Sequence, residues 1–167
     1  CTGIECPAKL YRNLVHFVSR EAMNIDGLGE NIIGILLEKK MIANIADIYD
    51  LKFEDIASLK KNGKKFAQNL IDSINESKKN DLYRLLTALG IRHVGVKAAK
   101  TLTKTFNNID NLANASIEEL SEVEEIGPIM ANSIKEFFSQ EQTKDLIIRL
   151  KQAGVNTERI KVENKDN

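Results

Sequence analysis

The 167-residue chain is 43% apolar and 29% charged, which is enough apolar content to bury a core, and its formal net charge is zero. No apolar run reaches about 18 residues and no signal peptide opens the chain, so we expect a soluble protein without a membrane partner. Both cysteines lie in the first six residues, which argues against a secreted disulfide framework and favours a reducing cytoplasm.

Charge is distributed unevenly along the chain. Residues 1–100 hold 16 Lys and Arg against 12 Asp and Glu, a net +4, whereas residues 101–167 hold 8 against 12, a net −4. A total of zero gives no support to nucleic-acid binding, because such domains usually carry a basic excess. The asymmetry nevertheless lets one part of the surface attract phosphate.

Apolar residues recur at helical spacing almost throughout, and long alternating β-branched segments are absent. Four apolar helix faces follow in chain order, at Ile32–Leu37, Phe66–Ile74, Ala98–Leu102 and Met130–Phe138. Partner helices are predicted before them, for example at Leu82–Leu89 and Ile117–Val123. The chain is predicted to be all-α.

A glycine precedes each of these four faces, and the glycines are separated by 34, 32 and 32 residues: Gly29, Gly63, Gly95 and Gly127. Four positions before each glycine stands an aliphatic residue: Ile25, Leu59, Ile91 and Val123. A period near 33 also suits tetratricopeptide or ankyrin arrays, but their Trp and Thr-Pro-Leu-His signatures are missing. The repeat favours four helix-hairpin-helix units.

The first hairpin, Ile25-Asp26-Gly27-Leu28-Gly29, is the most informative turn. Its two glycines permit positive φ and close approach of a nucleic-acid backbone. The helix that follows offers unpaired N–H donors and a partial positive charge, which together suit a phosphate. Such contacts carry no sequence information, so binding without base specificity is predicted.

The other three turns differ from the first. Lys61, His93 and Glu125 take the position of Gly27, and basic residues crowd the second turn (Lys60, Lys61, Lys64, Lys65) and the third (Arg92, His93, Lys97, Lys100, Lys104). These lysines either bind phosphate, most strongly at these two turns, or form solvated helix faces. The fourth turn carries Glu122, Glu124, Glu125 and Pro128, and is either structural or binds through backbone donors alone.

The predicted DNA-binding set combines these glycines with the basic residues beside them. It comprises Gly27, Gly29, Lys61, Gly63, Lys64, Lys65, Arg92, His93, Gly95, Lys97, Lys100 and Gly127. No catalytic residue is predicted: His16 and His93 lack a carboxylate pair or nucleophile at a readable spacing, and neither a dinucleotide loop nor a phosphate-binding loop signature occurs. Lys→Glu changes at Lys65 and Lys97 are expected to weaken DNA binding more than the same change at Lys135.

Cys1 and Cys6 form a C-x4-C pair followed by Pro7. The pair is either half of a four-thiolate zinc site or two incidental free thiols. Two thiolates cannot close a tetrahedral site, so we expect zinc to be absent or substoichiometric in this chain.

Three stretches closely resemble the bacterial NAD-dependent DNA ligases: residues 1–9 (CTGIECPAK), 16–29 (HFVSREAMNIDGLG) and 89–95 (LGIRHVG). The resemblance extends to about Val155. It implies that residues 1–18 are the end of a small zinc finger holding its last two cysteines, Cys1 and Cys6. It further implies that residues 19–155 pair four hairpin units, near 25–29, 59–63, 91–95 and 123–127, into a compact domain. Residues 156–167 would be a linker.

The resemblance also implies a function. The chain would bind the minor groove of nicked duplex DNA as a monomer, alongside the oligonucleotide-binding, adenylation and BRCT domains of a cytoplasmic ligase that uses NAD and Mg²⁺. The Lys-x-Asp-Gly adenylation motif does not occur in these 167 residues, so the chain alone should neither ligate DNA nor consume NAD. A hairpin domain from another repair enzyme and a protein-binding helical scaffold are the alternatives. The Cys1–Pro7 segment argues against the first and lysine clustering at the turns against the second.

Overall fold

The computed structural model describes residues 7–160, and this part of the chain is helical. An isolated antiparallel bridge between Asn108 and Glu158 is its only β-type pairing. A 3₁₀ helix covers Ile45–Asp50. The α-helices are α1 (Pro7–Val18), α2 (Glu30–Glu38), α3 (Phe53–Ala57), α4 (Lys64–Ser77), α5 (Leu82–Leu89), α6 (Val96–Thr105), α7 (Ile109–Asn114), α8 (Ile117–Ser121), α9 (Pro128–Ser139) and α10 (Glu141–Gln152).

Four helix pairs form the repeat: α1 with α2, α3 with α4, α5 with α6, and α8 with α9. The second helix of each pair begins one residue after a repeat glycine, at Glu30, Lys64, Val96 and Pro128. The predicted all-α fold of four helix-hairpin-helix units is therefore confirmed. The predicted helix at Ile117–Val123 is shorter than expected, because it ends at Ser121 and its last residues enter the hairpin.

The apolar faces of all four units share one core. α1 packs on both α2 and α5, which brings Leu14 and Phe17 together with the core that contains Leu85 and Leu86, all at most 1% exposed. Burying a side chain of this size stabilises a fold by about 1.5–3 kcal/mol. Units one and two are thus joined to units three and four by apolar packing.

Polar contacts also cross between the two halves of the chain. The Arg84 guanidinium on α5 donates hydrogen bonds to the carbonyl oxygens of Arg20 (3.0 Å) and Ala22 (2.9 Å), just before the first hairpin. The Asn80 amide donates to the Met23 carbonyl at 2.8 Å. These bonds satisfy loop carbonyls that no helix uses, so the loop before the first hairpin is anchored to the third unit.

Arg149 on α10 makes a second connection, to the 3₁₀ helix. Its guanidinium donates to Asn44 Oδ1 (3.0 Å), Asp47 Oδ1 (2.7 Å) and Asp50 Oδ2 (2.8 Å). Burial alone would raise the Asp47 pKa, but the Arg149 hydrogen bond and the backbone N–H groups of Ala43 and Asn44 hold that pKa below its ordinary value. The same carboxylates raise the pKa of Arg149, and the bonds fix α10, which follows the fourth unit, against the 3₁₀ helix that precedes the second.

Candidate nucleic-acid interface

Hairpins one, three and four share one backbone geometry. The middle residue is left-handed in each: Gly27 has φ 91°, His93 φ 71° and Glu125 φ 70°. The next residue is buried and donates its N–H to the carbonyl of the aliphatic residue three positions earlier: Leu28 to Ile25 at 3.3 Å, Val94 to Ile91 at 3.0 Å, and Ile126 to Val123 at 3.0 Å. Two buried aliphatic side chains thus hold each turn on the core, and the residues between them face solvent.

The glycine that closes each of these three turns is exposed and is the N-cap of the following helix. Gly29, Gly95 and Gly127 have φ between −88° and −95° with ψ near 180°, and a Cβ on any of them would meet open space. No side chain caps these helices. Their first backbone N–H groups are therefore available to an anion.

Helices elsewhere in the chain show that side-chain capping is available to this sequence. Asn44, Asp81, Asn108 and Ser116 each accept a backbone N–H at the start of the 3₁₀ helix, α5, α7 and α8 respectively. Two other helices, α3 and α10, lack such a cap. Four of these six helices are capped, whereas the second helix of every unit begins at an uncapped glycine, a difference that favours an external ligand at the hairpins.

The second turn departs from the other three. Its left-handed residue is Asn62 (φ 57°), so Lys61 aligns with Gly27 in sequence but not in conformation. Gly63 is buried with φ −80° and ψ 5°, and a Cβ there would lie 2.2 Å from the Ala57 carbonyl oxygen. Asn tolerates this left-handed conformation best after glycine. Asn62 was therefore the sequence signal for the left-handed position of this turn, and matching Lys61 to Gly27 missed it. Gly63 is required for packing.

The basic residues of the second and third turns are exposed as a group: Lys60, Lys61, Lys64, Lys65, Arg92, His93, Lys97, Lys100 and Lys104. Two lysines lie over aromatic rings, with Lys60 Nζ 4.2 Å from the Phe66 centroid and Lys100 Nζ 5.0 Å from that of Tyr83. The rings restrict both lysine side chains while leaving their ammonium groups accessible. Apart from Lys104, which lies in the last turn of α6, these solvent-facing cations lie near the N-termini of α4 and α6.

The third and fourth hairpins lie side by side. Lys97 Nζ in the first turn of α6 is 3.1 Å from Glu125 Oε2 in the fourth hairpin. From the sequence, Lys97 is a predicted DNA-binding residue and Glu125 part of an acidic turn, and nothing in their spacing indicates that they meet. Since Pro128 has no N–H, the fourth hairpin also offers fewer backbone donors than the first and third.

Two residues considered in the sequence analysis have structural contacts. His16 Nε2 lies 2.6 Å from the Thr87 carbonyl oxygen, so this histidine joins α1 to α5. Lys135 is half-buried and its Nζ donates to the Ala115 carbonyl at 2.8 Å, at the end of α7. Replacing Lys135 therefore also removes a bond to the end of α7, and the expected difference in DNA binding between Lys135 and the lysines Lys65 and Lys97 stays a prediction.

Cys1 and Cys6 lie outside the described residues. Between Pro7 and Ile160, no group of three or more His, Cys, Asp and Glu side chains is placed to hold a metal ion. No helix in that range is long and apolar enough to cross a membrane.

Two family models match the chain, and each covers one pair of hairpins. Residues 19–76 match the SAM-like helix-hairpin-helix tandem, and residues 84–147 match the helix-hairpin-helix motif. The chain is 51% identical to a DNA ligase of Clostridioides difficile strain 630 over 94% of its own length. It is 47% identical to those of Thermoanaerobacter pseudethanolicus, over 100% of its length, and Bacillus subtilis strain 168, over 99%.

Over nearly its whole length the chain matches a segment of proteins named DNA ligase. It spans about a quarter of the length of these relatives: 23%, 25% and 26% respectively. The resemblance found in the sequence is therefore confirmed, and the segment of DNA ligase in question is its helix-hairpin-helix region. Its four hairpins supply the geometry on which a DNA-binding function depends.

Proposed function

We propose that this ligase segment grips the sugar-phosphate backbone of duplex DNA, in the minor groove on both sides of a nick. The observation that carries the proposal is the set of three equivalent hairpins whose exposed glycines start helices without side-chain caps. Backbone N–H groups at such helix starts bind phosphate oxygens without reading bases. The second turn contributes through its exposed lysines.

The wider activity is also a proposal. The whole enzyme would seal nicks in replication and repair, with NAD as adenylate donor and Mg²⁺ as cofactor, and its oligonucleotide-binding, adenylation and BRCT domains would act with this segment. Cys1 and Cys6 would complete a zinc finger with two further thiolates. The chain by itself would be a DNA-binding monomer without ligation activity.

Competition between duplexes tests the binding proposal. The chain is titrated into a labelled nicked duplex, and unlabelled duplexes of equal length but unrelated sequence are added as competitors. We expect equal competition, with a log-log salt slope of about −3 to −5 if four or five lysine or arginine side chains each neutralise a phosphate. Strongly unequal competition, or binding that salt does not weaken, would contradict backbone recognition.

A further inference from the structure

The Lys97–Glu125 ion pair connects two hairpins that the proposed function assigns to DNA, and it carries an inference that rests on that function. Lys97 is the second residue of α6, where an ammonium group faces the positive end of the helix dipole. Its side chain is 84% exposed, and that of Glu125 is 44% exposed. The pair is therefore solvated and weak, and readily exchanged.

Glu125 adopts a backbone conformation that is unfavourable for a non-glycine residue. A left-handed φ of 70° strains a residue that carries a Cβ, and the matching residue of the first hairpin is Gly27, which has none. From that position its carboxylate reaches the first turn of α6, beside an N-terminus that no side chain caps. The carboxylate thus meets Lys97 on the surface where the proposed function places a phosphate.

We propose that Glu125 is an internal competitor of the DNA backbone. With no DNA bound, its carboxylate holds the Lys97 ammonium group. When a phosphate approaches α6, Lys97 exchanges the carboxylate for the phosphate oxygen. Each binding event at the third hairpin then includes loss of the ion pair, so Glu125 lowers the affinity of the segment for DNA and eases its release.

Charge-only substitutions isolate this effect. Glu125→Gln keeps the size of the side chain and the strain of the turn while removing the carboxylate. Glu124→Gln is the matched control, since this neighbouring glutamate is also exposed and makes no ion pair among the described residues. Both variants change the net charge equally, so any difference between them reports the Lys97 contact.

The measurement is fluorescence anisotropy of a labelled nicked duplex at several salt concentrations, with melting temperatures as a check on folding. We expect Glu125→Gln to tighten binding about threefold more than Glu124→Gln, the size of effect that an exposed ion pair gives. Its salt slope should also be steeper, by up to about one unit, because no freed carboxylate recovers a cation. In a Lys97→Gln background the two glutamate variants should bind equally.

Failure of this inference is distinguishable from failure of the proposed function. Salt-dependent binding by the unmodified chain, with equal affinities of the two glutamate variants, would overturn the competition alone. A difference that survives in the Lys97→Gln background would also overturn it. If the unmodified chain shows no salt-dependent binding to the duplex, the proposed function and this inference are both wrong.

Discussion

Exchanging glycine for alanine should reduce stability at Gly63 and DNA affinity at Gly95, although the two glycines occupy the same place in the sequence repeat. At Gly63 the added methyl group would lie 2.2 Å from the Ala57 carbonyl oxygen and 2.9 Å from that of Lys60. At Gly95 it would meet no atom within 4 Å. The first change therefore perturbs packing, and the second alters only the exposed hairpin surface.

The loss of stability expected for Gly63→Ala follows from the overlap between the added Cβ and the Ala57 carbonyl oxygen. An ordinary carbon–oxygen contact needs roughly 3.3 Å, so the backbone around Ala57 has to move by about 1 Å. Forcing an extra methyl group into a packed region usually costs about 1–3 kcal/mol, and an unyielding backbone contact places Gly63→Ala near the upper end, at about 3 kcal/mol. In a domain of this size that lowers the melting temperature by about 6–12 °C.

In Gly95→Ala, two small effects on folding stability nearly cancel. Its extended backbone, with φ −95° and ψ −169°, suits any residue, so alanine reduces unfolded-state entropy and stabilises the fold by about 0.4–1 kcal/mol. Alanine is a poorer N-cap than glycine by a similar amount, so the melting temperature should change by less than about 2 °C. DNA affinity should fall about fivefold, because the methyl group stands where a phosphate would approach the N–H groups of α6.

Thermal unfolding followed by circular dichroism and anisotropy titrations with a nicked duplex measure both quantities on the same preparations. The expected pattern is a lower melting temperature for Gly63→Ala and weaker binding at unchanged melting temperature for Gly95→Ala. Equal melting temperatures for the two variants would show that the crowding at Gly63 is readily relieved. Unchanged DNA affinity of Gly95→Ala would refute the assignment of this hairpin to phosphate.

Three further outcomes are expected. Lys65→Glu should weaken duplex binding and reduce the salt slope by about one unit, whereas Lys144→Glu, an exposed lysine paired with Glu141 on α10, should do neither; equal losses in anisotropy titrations would mean that diffuse charge governs binding. Arg149→Gln should destabilise the fold by about 1 kcal/mol at neutral pH. Because the Asp47 pKa is lowered in the folded chain, this contribution is present above the ordinary Asp pKa of 3.8 and is lost as the pH falls through the folded pKa. The melting temperatures of the unmodified chain and of Arg149→Gln should therefore converge in acid. A difference that stays constant with pH would contradict the role of Asp47. Incubation with labelled NAD should leave no covalent adenylate on the purified chain, and any such adduct would mean that a nucleophile has been missed.

The sequence by itself determined the helical repeat and the place where each hairpin helix begins. Both depend on local chemistry: an aliphatic residue, a turn that admits a left-handed residue, and a glycine that tolerates an uncapped helix start. These requirements recur within five residues, so they are readable at Ile25–Gly29 and again at Ile91–Gly95. The family resemblance followed from longer stretches that contain these two turns, residues 16–29 and 89–95, together with residues 1–9.

Only the tertiary structure decided which repeat glycine is needed for packing and which one faces solvent. Gly63 and Gly95 are equivalent in the repeat, but Gly63 lies against the Ala57 carbonyl and Gly95 faces solvent, a difference set by how α3 packs on α4. Likewise, no sequence pattern indicates that Lys97 meets Glu125, or that Arg149 binds Asp47 across 102 positions. Such contacts depend on how the units pack in space, and residue spacing along the chain carries no information about that packing.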